Sequence, residues 1–228
     1  MTAPPIDELT TSVEDYLKAI YAITGQGHPA TTSEIARWLD LSPPSVSGMV
    51  KRLAEQGLLE YQPYKGVKLT AKGRRGALTM LRRHRIIESY LVERLGYSWD
   101  SVHQEAERLE HAVSEVLIER MADALGNPEF DPHGDPIPGP DGSVAEAMST
   151  PLPDIDVGQQ TALRQVRSHD AEQLRFIASV GLKPGTIFTV VDQQPFHGPT
   201  TIRLGDTEQV IGHELASLLW CEARGVEE

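Results

Sequence analysis

Cysteine is almost absent from this sequence, since Cys221 is the single cysteine among 228 residues. A lone cysteine cannot form a disulfide within the chain or build a thiolate metal cluster, which excludes the disulfide-rich secreted class. No run of about 18 apolar residues occurs, and residues 1–7 lack the basic and then apolar pattern of a secretory leader. We therefore expect a cytoplasmic protein that does not span a membrane.

The signatures of several common enzyme classes are missing as well. The sequence contains no P-loop, no Gly-rich dinucleotide-binding loop, no nucleophile elbow and no HExxH pair. Histidine and glutamate sets also build hydrolytic metal sites, so a metallohydrolase is an alternative that the missing motifs leave open. With 39% hydrophobic and 24% charged residues the composition is that of an ordinary globular protein. We expect a protein that is not an enzyme.

The charge is unevenly distributed along the chain, whose formal net charge is −12. Residues 1–76 have 9 basic and 8 acidic side chains, whereas residues 77–150 have 6 and 14 and residues 151–228 have 6 and 11. The two acidic regions would repel a polyanion. A nucleic acid would therefore contact the near-neutral first region, or a cation would neutralise part of the rest.

The first region, residues 1–76, has the pattern of a winged helix-turn-helix. Thr31 and Glu34 have capping-box spacing ahead of one helix, and Ser42 precedes two prolines at the start of the next. Residues 58–70 have the pattern of a two-stranded ribbon around a turn. Two short helices joined by a tight turn and followed by a hairpin predict this fold.

The second helix of that motif predicts a DNA-reading surface. Small and polar side chains at its exposed start reach base edges in a major groove. The basic side chains that follow suit phosphates, and a lysine at the ribbon tip reaches a neighbouring backbone. The predicted DNA-binding residues are Ser42, Pro44, Ser45, Ser47, Gly48, Lys51, Arg52 and Lys65. The alternative is a protein-interaction module in which these polar side chains are merely solvated.

Two further regions follow the first. Residues 77–150 are predicted to be helical at first, with an apolar stripe from Val102 to Leu117 on one helix. They then become rich in Pro and Gly, which indicates a linker or a wrapped, partly extended segment. Residues 151–228 contain short strand candidates and a helix, which predict a small β-barrel. The predicted fold class is mainly α with a small β domain.

Histidines and glutamates recur at helical spacing beside that apolar stripe. Four of them have offsets of 0, 4, 7 and 8, which place them within about 100° of one helix face. These four are His103, Glu107, Glu110 and His111. On the preceding helix, His84 and Glu88 are also one turn apart, and Asp15 lies on the first amphipathic helix. Carboxylates stacked on a helix repel each other, and a divalent cation reverses that repulsion. The pattern favours a metal site over a solvated polar face with incidental histidines.

The type of donor atom restricts the choice of metal. Imidazoles and carboxylates without a thiolate suit Mn(II) or Fe(II) better than structural Zn(II) or Cu(I). The other histidines, of which His133 and His169 are two, lie in looser contexts. We expect each of these to be structural or surface-exposed.

Three short stretches resemble the diphtheria toxin repressor family, which includes iron-dependent regulators and manganese transport regulators. They are residues 12–17 (SVEDYL), 83–85 (RHR) and 103–111 (HQEAERLEH). The resemblance implies an N-terminal winged helix-turn-helix at 1–76, a helical dimerisation and metal-binding domain with a Pro-rich linker at 77–150, and an SH3-like barrel at 151–228. It also implies a homodimer that binds a palindromic operator DNA when loaded with metal and represses metal-uptake genes.

The resemblance also implies two sets of metal ligands. The primary site would use Asp15, Glu107, Glu110 and His111. The ancillary site would use His84, Glu88 and His103, with Asp170 and Gln173 added from the barrel and His169 and Glu172 as rivals. Iron-type members have Met and Cys where Asp15 and Glu107 stand, so the primary site is similar to that of the manganese branch.

Other features are similar to the iron branch. Lys18 stands where manganese-type members often have a further carboxylate, and Glu88 with His103 resembles the ancillary site of the iron branch. We therefore predict Mn(II), with Fe(II) as the competing metal. A metal-independent winged-helix regulator whose pocket binds a small molecule is a further alternative.

Overall fold

The computed structural model describes residues 9–25, 27–62, 65–145 and 149–223. The chain divides into two compact units, of which the first comprises Met1–His84 and Pro138–Ser143. The second comprises Arg85–Ile137 and Val144–Glu228. Within the described residues, no helix combines the length and the apolar composition that crossing a bilayer requires.

The first unit is a winged helix-turn-helix, as predicted. Its elements are α1 (Thr11–Thr24), α2 (Thr32–Trp38), α3 (Pro43–Glu55), β1 (Leu59–Gln62), β2 (Gly66–Leu69) and the first part of α4 (Ala71–Leu95). The capping box at α2 is confirmed, because the Thr31 hydroxyl accepts from the backbone N–H of Glu34 and the Glu34 carboxylate accepts from that of Thr31. The two strands pair antiparallel, with Leu59 opposite Leu69. Residues 63 and 64, where the turn of the ribbon was expected, lie outside the described residues.

The core of this unit comes from apolar side chains at helical spacing. Leu17 and Ile20 on α1, Ile35 on α2 and Val50 and Leu53 on α3 are all completely buried. Full burial of one such side chain contributes about 1.5–3 kcal/mol relative to exposure. This core fixes the orientation of α3, whose opposite side faces solvent.

The second unit contains two short helices where one was predicted. They are α5 (Val102–Leu109) and α6 (Glu115–Leu125). The hydroxyl of Ser114 accepts from the backbone N–H of Leu117 and starts a new helix there. The prediction of one continuous apolar stripe from Val102 to Leu117 was therefore wrong, and Val116 and Leu117 at its far end are exposed.

The C-terminal part of the second unit is an SH3-like β domain. Its elements are β3 (Thr150–Pro151), a 3₁₀ turn (Leu152–Asp154), β4 (Gln160–Val166), α7 (Ala171–Ser179), β5 (Ile187–Gln193), β6 (Thr200–Leu204), β7 (Thr207–Ile211), α8 (His213–Ala216) and β8 (Leu219–Ala223). The strands form one antiparallel sheet in the order β3-β8-β4-β5-β6-β7. Irregular registers between Leu163 and Gln165 and between Val190 and Asp192 bend this sheet around its core.

The Pro-rich segment is packed against the β domain over residues 130–137. Phe130 and Pro136 form a β-bridge, and the carbonyl of His133 accepts from the backbone N–H of Val166 at 2.9 Å. Gly134 has a φ of +85°, and a Cβ there would lie 1.8 Å from the carbonyl oxygen of Arg164. Only glycine fits this approach. The structure therefore favours the wrapped segment over a free linker in this stretch.

Candidate metal centre and DNA-reading surface

Glu88 and His103 form the centre of a buried polar cluster in the second unit. Glu88 lies on α4 with only 1% of its surface exposed. Its Oε1 atom lies 3.0 Å from Nδ1 of His103, which comes from the first turn of α5. A carboxylate removed from water is costly unless cations or donors compensate for it, so this position favours positively charged partners.

His133 joins the cluster from the Pro-rich segment. Its ring is completely buried, and Nε2 lies 2.7 Å from the backbone carbonyl oxygen of Trp99. Its Nδ1 lies 3.7 Å from Oε2 of Glu88 and has no hydrogen-bond partner among the described residues. When Nε2–H donates to the carbonyl, Nδ1 faces the carboxylate, and this nitrogen carries either a proton or the lone pair that a metal ion would bind. Metal-binding histidines are typically oriented in this way by a partner of the other ring nitrogen.

Asp131 is a third member of the cluster. Its Oδ1 accepts from the backbone N–H groups of His133 and Asp135 at 2.8 and 2.9 Å, and its Oδ2 lies 3.7 Å from Nε of Arg85. One ligand atom from each of Glu88, Asp131 and His133 lies within 4.8 Å of the others. The three side chains thus have the donor types and the spacing of a divalent metal site.

The protonation of this cluster reflects its burial. Burial raises the pKa of Asp131 to about 7, with the charges of Asp135 and Glu88 adding to the effect. For His133, burial lowers the pKa, but the negative charges of Glu88 and Asp131 outweigh it and raise the pKa to about 9. Without a metal the cluster therefore retains protons, which a divalent cation would displace.

The β domain brings His169 to the same cluster. The ring of His169 stacks on that of His103, with centroids 4.1 Å apart and planes at 16°. His169 as a whole residue is exposed. Partial desolvation of its ring, and then the nearby His103, lower the pKa of His169 to about 4, so the ring is neutral at pH 7.

The two predicted ligands of the β domain have other contacts in this structure. Asp170 caps α7 by accepting from the backbone N–H groups of Glu172 and Gln173 at 2.9 Å. The side-chain oxygen of Gln173 accepts from the hydroxyl of Ser168 at 2.6 Å. Their role as metal ligands stays a prediction.

The other predicted ligands of the second unit lie around the end of α5. Glu107 Oε1 is 3.7 Å from Nε2 of His103. Glu110 is the C-cap of α5 and completely buried, and its Oε1 lies 3.5 Å from Nε2 of His111. Because the helix ends at Leu109, the last two ligands lie in a turn instead of on the predicted helix face.

Asp15 and His84 belong to the first unit. Asp15 is half-buried on α1. His84 is buried on α4, one turn before Glu88, and its Nδ1 lies 3.4 Å from Nζ of Lys18. The assignment of both residues as metal ligands stays a prediction.

The sequence pattern did not reveal that Asp131 and His133 lie beside Glu88. The expectation that His133 is structural or surface-exposed agrees with its complete burial, and a role as a metal ligand is an addition that only the structure suggests. The available signal was the run Asp131-Pro132-His133-Gly134-Asp135, in which two acidic residues flank a histidine. Helical periodicity could not reveal this run, because it lies in a loop and reaches Glu88 only through tertiary packing.

The predicted DNA-reading surface is open to solvent. Ser42, Pro44, Ser45 and Gly48 are exposed at the start of α3, and Ser47 is half-buried. The Ser42 hydroxyl accepts from the backbone N–H of Ser45, and a Cβ on Gly48 would meet nothing within 4 Å. Exposed basic side chains follow at Lys51, Arg52 and Lys65. A helix with this free N-terminal half can enter a major groove.

Three families of known proteins match successive parts of the chain. They are described as the iron dependent repressor N-terminal DNA-binding domain over residues 8–67, the iron dependent repressor metal-binding and dimerisation domain over 70–139, and the FeoA domain over 150–223.

Individual relatives match along most of the chain. The iron-dependent repressor IdeR of Mycobacterium tuberculosis is 33% identical over 223 residues, covering 92% of this chain and 96% of that protein. A solved structure of a manganese-dependent transcriptional repressor in complex with manganese has 37% identity and a TM-score of 0.85, covering 93% of this chain and 100% of that one. The manganese regulator SloR has 32% identity and a TM-score of 0.76, covering 95% and 100%. The chain therefore belongs to the diphtheria toxin repressor family of metal-dependent transcriptional regulators.

Proposed function

We propose that this protein is a homodimeric repressor that binds a palindromic operator when loaded with Mn(II) and controls metal-uptake genes. The main support is the buried Nδ1 atom of His133, which has no hydrogen-bond partner among the described residues and faces Glu88 beside Asp131. A core made only for stability rarely contains such an atom. A divalent cation bound there would satisfy it and neutralise the two carboxylates.

The donor set supports Mn(II), with Fe(II) as the alternative. The cluster offers carboxylate oxygens and imidazole nitrogens, and Cys221 is buried in the core of the β domain. Hard and borderline ligands without a thiolate suit Mn(II) and Fe(II). The relatives include both a manganese-dependent and an iron-dependent repressor. Those names describe the relatives, and operator binding measured with each metal will decide which one activates this chain.

Two ligand groups follow for this chain. One comprises Glu88, His103, Asp131 and His133, with His169 stacked against it. The other comprises Glu107, Glu110 and His111. Asp15, His84, Asp170 and Gln173 are further ligands in our proposal, on the basis of the resemblance. A bound cation supplies positive charge that holds several carboxylates together, and it activates DNA binding only by preferring the DNA-competent state.

The proposed homodimer uses the helices around residues 87–125. Large apolar side chains on or just after these helices are exposed, and they are Leu95, Tyr97, Val116 and Leu117. Exposed apolar side chains that gather into a patch mark interfaces in soluble proteins. A two-fold dimer presents two copies of α3 to half-sites on successive turns of the groove. The proposal places the protein in the cytoplasm, with the DNA, and assigns it no enzymatic activity.

The experiment is operator binding by the purified protein at fixed salt, with its own upstream DNA as the probe. Binding is measured in chelator and again with Mn(II), Fe(II) or Zn(II) added. We expect binding that requires metal and is strongest with Mn(II). Strongest binding with Fe(II) would select the alternative metal. Equal binding in chelator would instead support a metal-independent regulator, and metal-dependent turnover of a phosphoester or amide without DNA binding would support an enzyme.

A further inference from the structure

Two histidines outside the cluster face each other on the β domain. His197 lies in the turn between β5 and β6, and His213 is the first residue of α8. Nδ1 of His197 lies 3.1 Å from Nε2 of His213, and the ring planes are tilted by 59° with centroids 4.5 Å apart. Neither residue belongs to the ligand groups of the proposed function.

The turn that presents His197 has a strained backbone. Phe196 and His197 are consecutive non-glycine residues in the left-handed region, with φ of +61° and +58°. Bulky residues rarely adopt this conformation. The turn is held by hydrogen bonds from Gln194 N–H to the Pro199 carbonyl at 3.1 Å and from Gly198 N–H to the Pro195 carbonyl at 3.2 Å.

Gly198 closes this turn, and a Cβ there would lie 2.5 Å from Cβ of Gln194. The glycine and the two hydrogen bonds thus maintain a conformation that an ordinary loop would avoid. One result is that the aromatic side chain of Phe196 is 96% exposed. The other is that the imidazole of His197 is held against that of His213. Strain of this kind is found most often at functional sites.

The distance between the two nitrogens is one that two ligands of the same metal ion would have. Imidazole nitrogens bind zinc at about 2.0–2.1 Å, so two of them lie about 3.4 Å apart at a tetrahedral angle and about 2.9 Å apart at a right angle. The observed 3.1 Å falls between these values. His197 is exposed and His213 half-buried, so water can complete the coordination.

We propose that His197 and His213 bind a divalent cation of the Ni(II), Cu(II) and Zn(II) group, separately from the carboxylate-rich cluster. Two imidazoles that form no ion pair with a carboxylate in the described part of the chain suit these metals, whereas Mn(II) prefers oxygen ligands and is the weakest binder in the general affinity order. The pair therefore selects against the metal that we propose as the activator. The inference does not depend on the proposed function, because it concerns a different surface and different metals.

The test is the number of Zn(II) ions bound per chain at equilibrium dialysis of the full-length protein. We expect His197→Ala and His213→Ala each to bind one Zn(II) fewer than the wild type, because each ring is half of the same site. His28→Ala is the matched control, since His28 is an exposed histidine that lies beside Glu34 instead of a second imidazole. It should leave the number unchanged.

A parallel dialysis with Mn(II) should show no difference between the wild type and any of the three variants. Circular dichroism confirms that each variant is folded. Unchanged Zn(II) stoichiometry in both His197→Ala and His213→Ala would show that the two rings only share a hydrogen bond. A loss in one of them alone, or an equal loss in His28→Ala, would likewise overturn the shared site.

Discussion

Oε1 of Glu88 lies 3.0 Å from Nδ1 of His103, and this contact joins the buried side of α4 to the first turn of α5. Oε2 of the same carboxylate faces Nδ1 of His133 at 3.7 Å. Each oxygen of Glu88 thus faces one imidazole nitrogen. Removing its charge should affect both rings at once, which distinguishes it from a glutamate that pairs with a single partner.

We predict that Glu88→Gln lowers the Mn(II)-dependent affinity for operator DNA by at least about tenfold, because Glu88 is a proposed ligand and the loss of even an outer-shell metal partner costs about that much. The substitution keeps the size of the side chain and removes its charge. Glu93→Gln, at an exposed position on the same helix, is the control and should behave as wild type. Equal affinities for both variants at limiting Mn(II) would remove Glu88 from the metal site.

His133→Asn should reduce the number of Mn(II) ions bound per chain by one. The shorter side chain cannot reach both the carbonyl of Trp99 and the carboxylate of Glu88, which the imidazole of His133 does in the structure. Equilibrium dialysis followed by elemental analysis measures this number. The expected DNA affinity in chelator is unchanged, and a variant that still binds the full number of ions would make His133 a structural residue.

Gly134→Ala should destabilise the protein much more than Gly158→Ala. Both glycines have a positive φ, +85° and +89°, so both substitutions cost about 1–2 kcal/mol in backbone strain. Only the Cβ at position 134 would overlap with the carbonyl oxygen of Arg164, whereas nothing lies within 4 Å at position 158. Urea unfolding of the two variants isolates the steric contribution. Equal losses in the free energy of unfolding would contradict the close approach at Gly134.

The sequence predicted the elements of the fold better than it predicted the cluster. The capping box at Thr31 and the N-cap at Ser42 depend on residues three positions apart, so local patterns were sufficient to locate α2 and α3. The same holds for Glu88 and for the pair His103 and Glu107, which repeat at helical spacing. The break between α5 and α6 was missed because Ser114 was not recognised as a cap within an apolar pattern.

Asp131 and His133 could not be predicted in the same way. Their positions in a Pro-rich loop have no periodicity, and the loop reaches Glu88 because it packs against β4. That contact depends on Gly134 and on the hydrogen bond between His133 and Val166. A pattern within a few residues contains no information on such a contact.

Lys51→Ala and Arg52→Ala should each weaken operator binding and reduce the slope of log affinity against log salt by about one. Both side chains are exposed on α3 behind its reading end. Phosphate contacts release counterions, so their loss changes the salt dependence as well as the affinity. Lys183→Ala, an exposed lysine of the β domain, is the control. A slope that stays constant in all three variants would place the DNA surface elsewhere.

Cys221 should react very slowly with iodoacetamide in the folded protein. Burial in the β domain raises the pKa of its thiol from 9.0 to about 12, so almost no thiolate is present at pH 8. The raised pKa also means that the neutral thiol contributes stability below about pH 9, which is lost as the pH rises towards 12. Alkylation followed by mass spectrometry in buffer and in urea measures the difference. Similar rates in both would contradict the burial.

The packing of residues 130–137 on β4 has a consequence for the evolution of this architecture. The carbonyl of His133 is bonded to Val166, and the amide of Gln165 donates to Asp135 at 2.6 Å. Two of the proposed ligands therefore owe their positions to a domain that contains neither of them. An ancestor that gained or lost the β domain would have changed its metal affinity in the same event, without any substitution at a ligand. Recombination of whole domains is thus a route by which the metal affinity of such a regulator can change in one step.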